Sequence, residues 1–538
     1  MFRLSPHFPS LALGVIVMWG CVSPESAHQG ADSEAYALLE ARRLDLFGPA
    51  GEFRIDPPEN SLRQRILRGE VASLPSLNLV NCLEIAAENS RDFQTQKEQL
   101  YGTALSLTLE QWNFGTQFTL GADATRTGGD GSDVQNDDAS VNLGMSRLLG
   151  AGAQVVASVG NSLFRVVHDG EGWAVVRDAS FSITQPLLGG SARAVVREPL
   201  TQAERDLIYR VRTFERFRRS FAFDVASRFY QLLASANTVA NEEANSEGLK
   251  LLSLRNRALA EAGQLSDIEA DQARQDELES ENRLLVLREK LNRQRDEFKL
   301  FLGIPVATPL ELAPPEVGGE PLGEEPLLQV GEEQALSLAL SRRLDYLNTA
   351  DSVIDAERRV GVAAEALKMG LDLEASAVNA GSSPTAWGTG FSFDLPVNRI
   401  PERNAFRNSQ IALETARRNE QESHDQMRAD LRDEIRGLRN ARQSYAIQKN
   451  AAELAEQRVA STELSLAAGR SNTRNVLEAR RSLVIAQDSA HSALTDWILA
   501  RLSFHHQMEL LTLGENGFLL DSGGLLSAPS VKLDESHD

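Results

Sequence analysis

Trp112-Asn113-Phe114-Gly115-Thr116-Gln117-Phe118-Thr119-Leu120-Gly121-Ala122 is the stretch on which the fold turns. In an extended chain successive side chains point to opposite faces. Trp112, Phe114, Thr116, Phe118, Leu120 and Ala122 then share a mostly apolar face, and Asn113, Gly115, Gln117 and Thr119 a small or polar one. Strand-like runs follow at 140–148, 153–167 and 173–187, and again at 371–378 and 387–397, with a Gly- and Asp-rich loop over 123–138. Each run has about the ten residues that a tilted strand needs to cross a bilayer. Past the first 20 residues no apolar run approaches the roughly 18 residues of a spanning helix, so any spanning part must be a closed barrel. Six strands are too few to close around a water-filled hole, since barrel diameter grows with strand number. An open edge in lipid would strand backbone donors and acceptors, so the pattern predicts several copies pooling their strands in one barrel.

The flanking tracts change period. No proline lies between Pro199 and Pro305 or between Pro401 and Pro529, as long helices require. Gly263 and Gly469 fall at equivalent places inside these tracts, where a reversal costs least strain, and mark the tips of two helical hairpins. Some 65 residues from Pro199 to Gly263, or from Pro401 to Gly469, give helices of roughly 100 Å. Phe214, Phe217, Phe221, Val225 and Leu232, and later Leu431, Ile435, Leu438 and Tyr445, recur at three- and four-residue steps and form a coiled-coil seam. Charged residues such as Arg428, Asp430 and Arg432 read as a solvated face.

The chain also repeats itself, with three landmarks recurring in one order. Cys82-Leu83-Glu84-Ile85-Ala86, followed by Asp92-Phe93, matches Ala335-Leu336-Ser337-Leu338-Ala339, followed by Asp345-Tyr346 at equal spacing. Phe181-Ser182-Ile183-Thr184-Gln185-Pro186-Leu187 matches Phe391-Ser392-Phe393-Asp394-Leu395-Pro396-Val397. Ala262-Gly263 with Ala273 matches Ala468-Gly469 with Ala479. The organisation read from this is an export signal over 1–20, an extension over 21–76 and a first repeat over 77–305. A linker over 306–331, a second repeat over 332–514 and a disordered tail over 515–538 complete it. The extension, with Asp56-Pro57-Pro58-Glu59, reads as an extended segment.

Bulk composition narrows the function. A net charge of -21 on 538 residues argues against nucleic acid, whose binding needs clustered Lys and Arg. Arg3 and His7 precede a short apolar run from Leu11 to Met18, the form of an export signal. Gly20-Cys21 resembles a lipoprotein cleavage site and makes Cys21 the candidate for lipidation, with cleavage near Ala27 as the alternative. The other cysteine, Cys82, sits among Leu79, Leu83 and Ala86 on an apolar helix face, and two such residues build neither a disulfide framework nor a metal site.

Strands flanked by two long hairpins in a duplicated, exported chain resemble the TolC family of outer-membrane factors. The resemblance spans about 77–514 and is carried by Gln185-Pro186-Leu187-Leu188-Gly189, by Asp394-Leu395-Pro396-Val397 with Glu402-Arg403-Asn404, and by Ala468-Gly469-Arg470 with Val476-Leu477-Glu478-Ala479. It implies a mainly α fold with transmembrane β, namely long α-helical hairpins forming a periplasmic barrel plus strands given to a shared outer-membrane β-barrel. It also implies a homotrimer, passive exit of cargo for an efflux pump or type I secretion system, a periplasmic adaptor and an inner-membrane pump as partners, and no cofactor. In the family the tip glycines meet the adaptor, which nominates Gly263 and Gly469. Acidic residues six and nine positions past the second tip glycine narrow the inner end there, which nominates Asn475 and Glu478, with Glu269 in the first copy. The family's gate-latching arginine is Ser471 here, with Arg470 and Arg474 nearby. The first copy departs from the family in carrying four strand-like runs where two are expected, so a trimer holds about 18 strands if all insert, or about 12 if 140–167 stands aside.

Two other readings remain at this point. A periplasmic coiled-coil adaptor also has a long helical hairpin, but there the hairpin interrupts a small β-domain, whereas here strands interrupt helices twice. An enzyme reading rests on His505-His506 with Glu509 one turn on; adjacent histidines on a helix point about 100° apart, poorly placed for one metal ion.

Overall fold

Alternating residues build one six-stranded antiparallel sheet, and three-to-four-residue apolar spacing builds long helices. The computed structural model describes residues 22–47, 53–56, 60–71, 74–127, 136–166, 174–188, 193–313, 331–381, 383–395, 397–514 and 517–520. The export signal, Cys21 and residues 521–538 lie outside the described residues. The described parts of Met1–Arg54, Glu98–Arg212 and Ala350–Asn419 form one compact unit, and those of Ile55–Lys97, Thr213–Thr349 and Glu420–Asp538 a second.

The first unit holds the sheet: β1 (Thr116–Thr127), β2 (Asn136–Leu148), β3 (Gln154–Val166), β4 (Ala174–Leu188), β5 (Gly370–Ala380) and β6 (Ala386–Asp394). They pair in that order, all antiparallel, which leaves β1 and β6 at the edges. The sheet begins at Thr116 rather than at Trp112. Leu100, Ala104 and Leu107 bury one stripe of a helix that continues to Asn113, and the Gly115 N–H closes its last turn on the Trp112 carbonyl at 2.9 Å. β6 likewise stops at Asp394, where Arg399 binds the carboxylate at 2.7 Å, short of the expected 397.

The extension corrects the expectation of an extended segment. It forms α1 (Pro24–Phe47) and α2 (Leu62–Leu67). Ala35, Leu39 and Arg43, spaced four apart, bury one stripe of α1, and the Tyr101 hydroxyl donates to Asp32 at 2.6 Å.

Next in order come α3 (Leu79–Asn89), α4 (Arg91–Asn113), α5 (Arg193–Glu261) and α6 (Asp267–Leu302), then α7 (Glu332–Arg342), α8 (Leu344–Glu365), α9 (Ile400–Ala467) and α10 (Thr473–Gln507). In the second unit two cores form in the same way. Cys82, Ile85 and Ala86 of α3 pack with Phe221, Val225 and Phe229 of α5 and Phe298 and Leu302 of α6. Ala335, Leu336 and Ala339 of α7 pack with Met427, Leu431 and Leu438 of α9 and Trp497 and Phe504 of α10. Part of the expected disordered tail is ordered as well: β8 (Gly517–Leu520) pairs with β7 (Leu511–Gly514). This pairing corrects the expected start of the tail at 515.

Candidate channel wall and helical tips

Residues directly opposite across a ladder point to the same side of a sheet, so the register assigns every side chain to a face. Phe118, Leu120 and Ala122 of β1 continue through Met145, Leu143 and Val141 of β2, Ala157 and Val159 of β3, and Ala179, Phe181 and Ile183 of β4. Leu373, Ala375 and Ala377 of β5 and Trp387, Phe391 and Phe393 of β6 complete this face. The opposite face reads Thr119, Gly144, Ser158 and Ser180 along one row and Gln117, Ser146, Val156, Ser182, Ser376 and Gly388 along the next. No described residue covers the apolar face: Phe118 is 71% exposed, Trp387 78%, and Phe391 and Phe393 63% each. On the polar face a Cβ at Gly160 would run into Asn142 and Asp178, so glycine there lets two polar side chains from neighbouring strands meet.

The tips are built alike. Gly263 and Gly469 sit in the left-handed region, with φ of 69° and 68°. The next N–H in each case reaches back to close the helix end, Gln264 to the Leu259 carbonyl at 2.9 Å and Arg470 to the Ser465 carbonyl at 2.8 Å. Ser266 then caps α6 by accepting from the Glu269 N–H at 3.3 Å, and Asn472 caps α10 by accepting from the Asn475 N–H at 3.0 Å. Glu269 and Asn475 thus stand at the third helical position, where an acid or amide suits a helix N-terminus.

Glu478 lies one turn further along α10. Its carboxylate accepts from Arg458 at 3.2 Å and lines a groove of ≈220 Å3 with Asp276, Glu279, Arg283, Arg474 and Arg481. Burial, reinforced by Glu279, raises the Asp276 carboxyl above its usual range. Glu269 and Asn475 do not line that groove, so the structure does not gather the three nominated residues at one place. Asp276 and Glu279 were missed because, spaced three apart on a polar helix, they read as solvated surface.

No family model and no curated protein matches the sequence. Solved structures do match. VceC, an outer-membrane protein of Vibrio cholerae, aligns at TM-score 0.60 and 14% identity over 80% of this chain and 95% of its own. The CmeC outer-membrane channel of Campylobacter jejuni aligns at 0.59 and 13% over 87% and 91%. CusC, described as forming a transmembrane channel, aligns at 0.60 and 10% over 80% and 91%. The chain has the TolC-type outer-membrane channel fold.

Within this TolC-type fold the histidine pair serves packing. His505 Nδ1 lies 2.8 Å from the Arg501 carbonyl, while His506 Nε2 lies 3.2 Å from Ser220 Oγ and its ring stacks on Phe223 at 5.9 Å. Glu509 turns to arginines: Arg216 Nη1 donates to it at 2.6 Å and Arg219 is also in contact. Arg216 further binds Asp345 at 3.1 Å, and Arg343 binds Asp345 at 2.7 Å. Among the described residues no His, Cys, Asp and Glu group is placed to hold a metal ion. Cys82 is buried, and burial pushes its thiol up to about 12, which leaves it inert at neutral pH.

Proposed function

We propose that the chain is one subunit of a homotrimeric outer-membrane channel-tunnel, a passive duct through which an efflux pump or type I secretion system discharges its cargo. The reading is carried by the sheet. It has one bare apolar face, one small polar face and two open edges, and no described helix is long and apolar enough to cross a membrane. In lipid such a sheet satisfies its edge backbone groups only by joining other copies. The similarity to VceC, CmeC and CusC supports the outer membrane as its place. An adaptor, which would sit in the periplasm, has no use for a bare apolar sheet of this size.

Internal duplication is supported by equal local geometry. α3 and α7 each span 11 residues and break at Ser90 and Arg343, eight residues after the matched Cys82 and Ala335. Cys21, after Gly20, is the proposed lipidation site. The tips at Gly263 and Gly469 are the proposed contact for a periplasmic adaptor, and through it for an inner-membrane pump. Glu478, with Asp276 and Glu279 close by, is the proposed carboxylate at the inner constriction, where a ring of such groups would concentrate cations; Glu269 and Asn475 are assigned the supporting role of holding the first turns of α6 and α10.

Planar bilayers test this. The purified protein is expected to insert as heat-sensitive trimers that conduct, and Glu478→Gln is expected to lower cation selectivity several-fold or to relieve block by divalent ions. A monomer that makes no pores would end the channel reading; an unchanged selectivity would remove Glu478 alone.

A further inference from the structure

We propose, building on the shared-barrel reading, that the β2–β3 hairpin is part of the membrane wall, so that each subunit contributes six strands to a wide pore. Residues 140–167 have two possible fates, inside the wall or aside from it, and three observations favour the wall. First, β2 is paired along its whole length on both sides, from Thr116↔Arg147 to Thr127↔Asn136 with β1 and from Asn136↔Val166 to Leu148↔Gln154 with β3. With the hairpin aside, β1 and β4 would have to find each other, and in the structure β4 pairs only with β3 and β5.

Second, the two-faced pattern runs through the hairpin, interrupted on the apolar face by the Asn161–Arg177 pair beside Val141. Val141, Leu143 and Met145, with Ala157 and Val159, stand between Leu120 on one side and Phe181 on the other, and Leu143 and Val159 are more than half exposed. A hairpin held in water would have no reason to keep these residues bare in the same row. On the other face Ser158 Oγ bonds Ser180 Oγ at 2.7 Å and Ser140 donates to Asp123 at 2.6 Å, so the hairpin joins the polar face of its neighbours.

Third, the apolar band has the height of a bilayer. On its apolar face β2 reads Arg147, Met145, Leu143, Val141, Ala139 and Asp137, with charges only at the two ends. Asp137 is met by Arg126 of β1 at 2.6 Å, a bidentate pair that closes the band at that end. Ten residues at about 3.3 Å each, tilted by roughly 40°, stand about 25 Å tall, which is the apolar height of outer-membrane barrels.

Three subunits then supply about 18 strands, the number at which barrels hold an open aqueous channel. The polar face joins Ser, Gly and Thr with the carboxylates of Asp123, Asp138, Asp178, Asp372 and Glu374, and with Phe164 near one end.

Cysteine accessibility in proteoliposomes of the intact protein tests this, with the buried native Cys82 silent. Asn142→Cys and Ser158→Cys are expected to react with a membrane-impermeant maleimide at least tenfold faster than Leu143→Cys and Val159→Cys. Fast labelling of Leu143→Cys and Val159→Cys, with Phe118→Cys and Phe391→Cys protected, would overturn the proposal and leave a four-strand wall. Fast labelling of all four apolar-face positions would instead overturn the membrane barrel itself. Failure of Asn142→Cys and Ser158→Cys to react would mean that their face lines no water, and would also overturn the proposal.

Discussion

Gly303 and Glu509 stand forty residues after the tip glycines, at 263 to 303 and 469 to 509, and end α6 and α10 with the same backbone motif. Ile304 N–H reaches the Lys299 carbonyl at 3.0 Å, and Leu510 N–H the His505 carbonyl at 2.8 Å. Both motifs need a left-handed residue, with φ of 79° and 53°. One end uses the residue that takes this conformation freely and the other does not. The neighbours supply the reason. At Gly303 a Cβ would overlap the Asn89 carbonyl, where the backbone breaks between α3 and α4. At Glu509 the facing element, at the break between α7 and α8, presents Arg343 and Asp345 instead, and α5 presents Arg216 and Arg219. A strained glutamate persists because its buried carboxylate is the counter-charge for two guanidiniums. Equivalent backbone positions can thus be held by steric room at one site and by charge at the other.

The steric site breaks hardest. Gly303→Ala must both adopt a left-handed φ and push a Cβ against backbone that cannot swing aside, so a loss of more than roughly 4 kcal/mol, or failure to assemble, is expected. Thermal unfolding in detergent reads it out. A variant within about 1 kcal/mol of the wild type would show that the close approach to Asn89 is not needed.

The charged site sharpens the contrast, because the two accounts of Glu509 disagree in sign. If it were only a cap, Glu509→Gly would relieve strain and stabilise by about 1 kcal/mol. As a clamp, Glu509→Gly and Glu509→Gln both leave two partly buried arginines without their carboxylate, at a cost of about 3–5 kcal/mol. Adding Arg216→Met and Arg219→Met to Glu509→Gly is expected to recover much of that loss, a coupling measurable as a thermodynamic cycle with the two arginine changes taken together as one side.

Strand period, the tip glycines and proline-free helices were legible in the sequence because each depends on a local rule. Thr116 against Trp112 shows the limit: a helical stripe ending in Leu107 and an alternating run overlap at Trp112, and only packing decides which continues. α1 was missed although Ala35, Leu39 and Arg43 carry its spacing, since its buried stripe is short and one of its members is charged. The constriction was legible only in part. Glu478 reaches the groove, but Asp276 and Glu279 join it through α6, a neighbour fixed by tertiary packing. Glu509 stood out in the sequence only beside the histidine pair, and its role as a left-handed cap left no trace, because the usual signal is glycine and this one is held by residues nearly 300 positions away.

His506 gives the smallest effect and ties the charged site to pH. Its ring is buried beside Arg216, Arg219 and Arg343, with the carboxylates of Glu509 and Asp345 on the other side of the balance and Asp430 acting on Arg343. The C-terminal end of α10 would favour an imidazolium. Burial outweighs it, and the guanidiniums add to burial, so the ring is held at about 4 against its usual 6.5. A depressed histidine means that the unfolded chain binds the proton first. The stability it contributes is whole above pH 6.5, falls as pH drops toward 4 and then levels off, by about 3 kcal/mol. Asp345, held low by Arg343 and Arg216 against its own burial, gives way only below the usual carboxylate range, outside this window. Asp276, Asp488 and Glu434 are raised by burial and act with the opposite sign, so the wild-type curve alone is ambiguous. The difference between wild type and His506→Phe, which keeps the stack on Phe223, isolates the ring: unfolding midpoints of the two are expected to converge as pH falls from 7 to 4. A gap that stays constant over that range would show that His506 carries no proton-linked load.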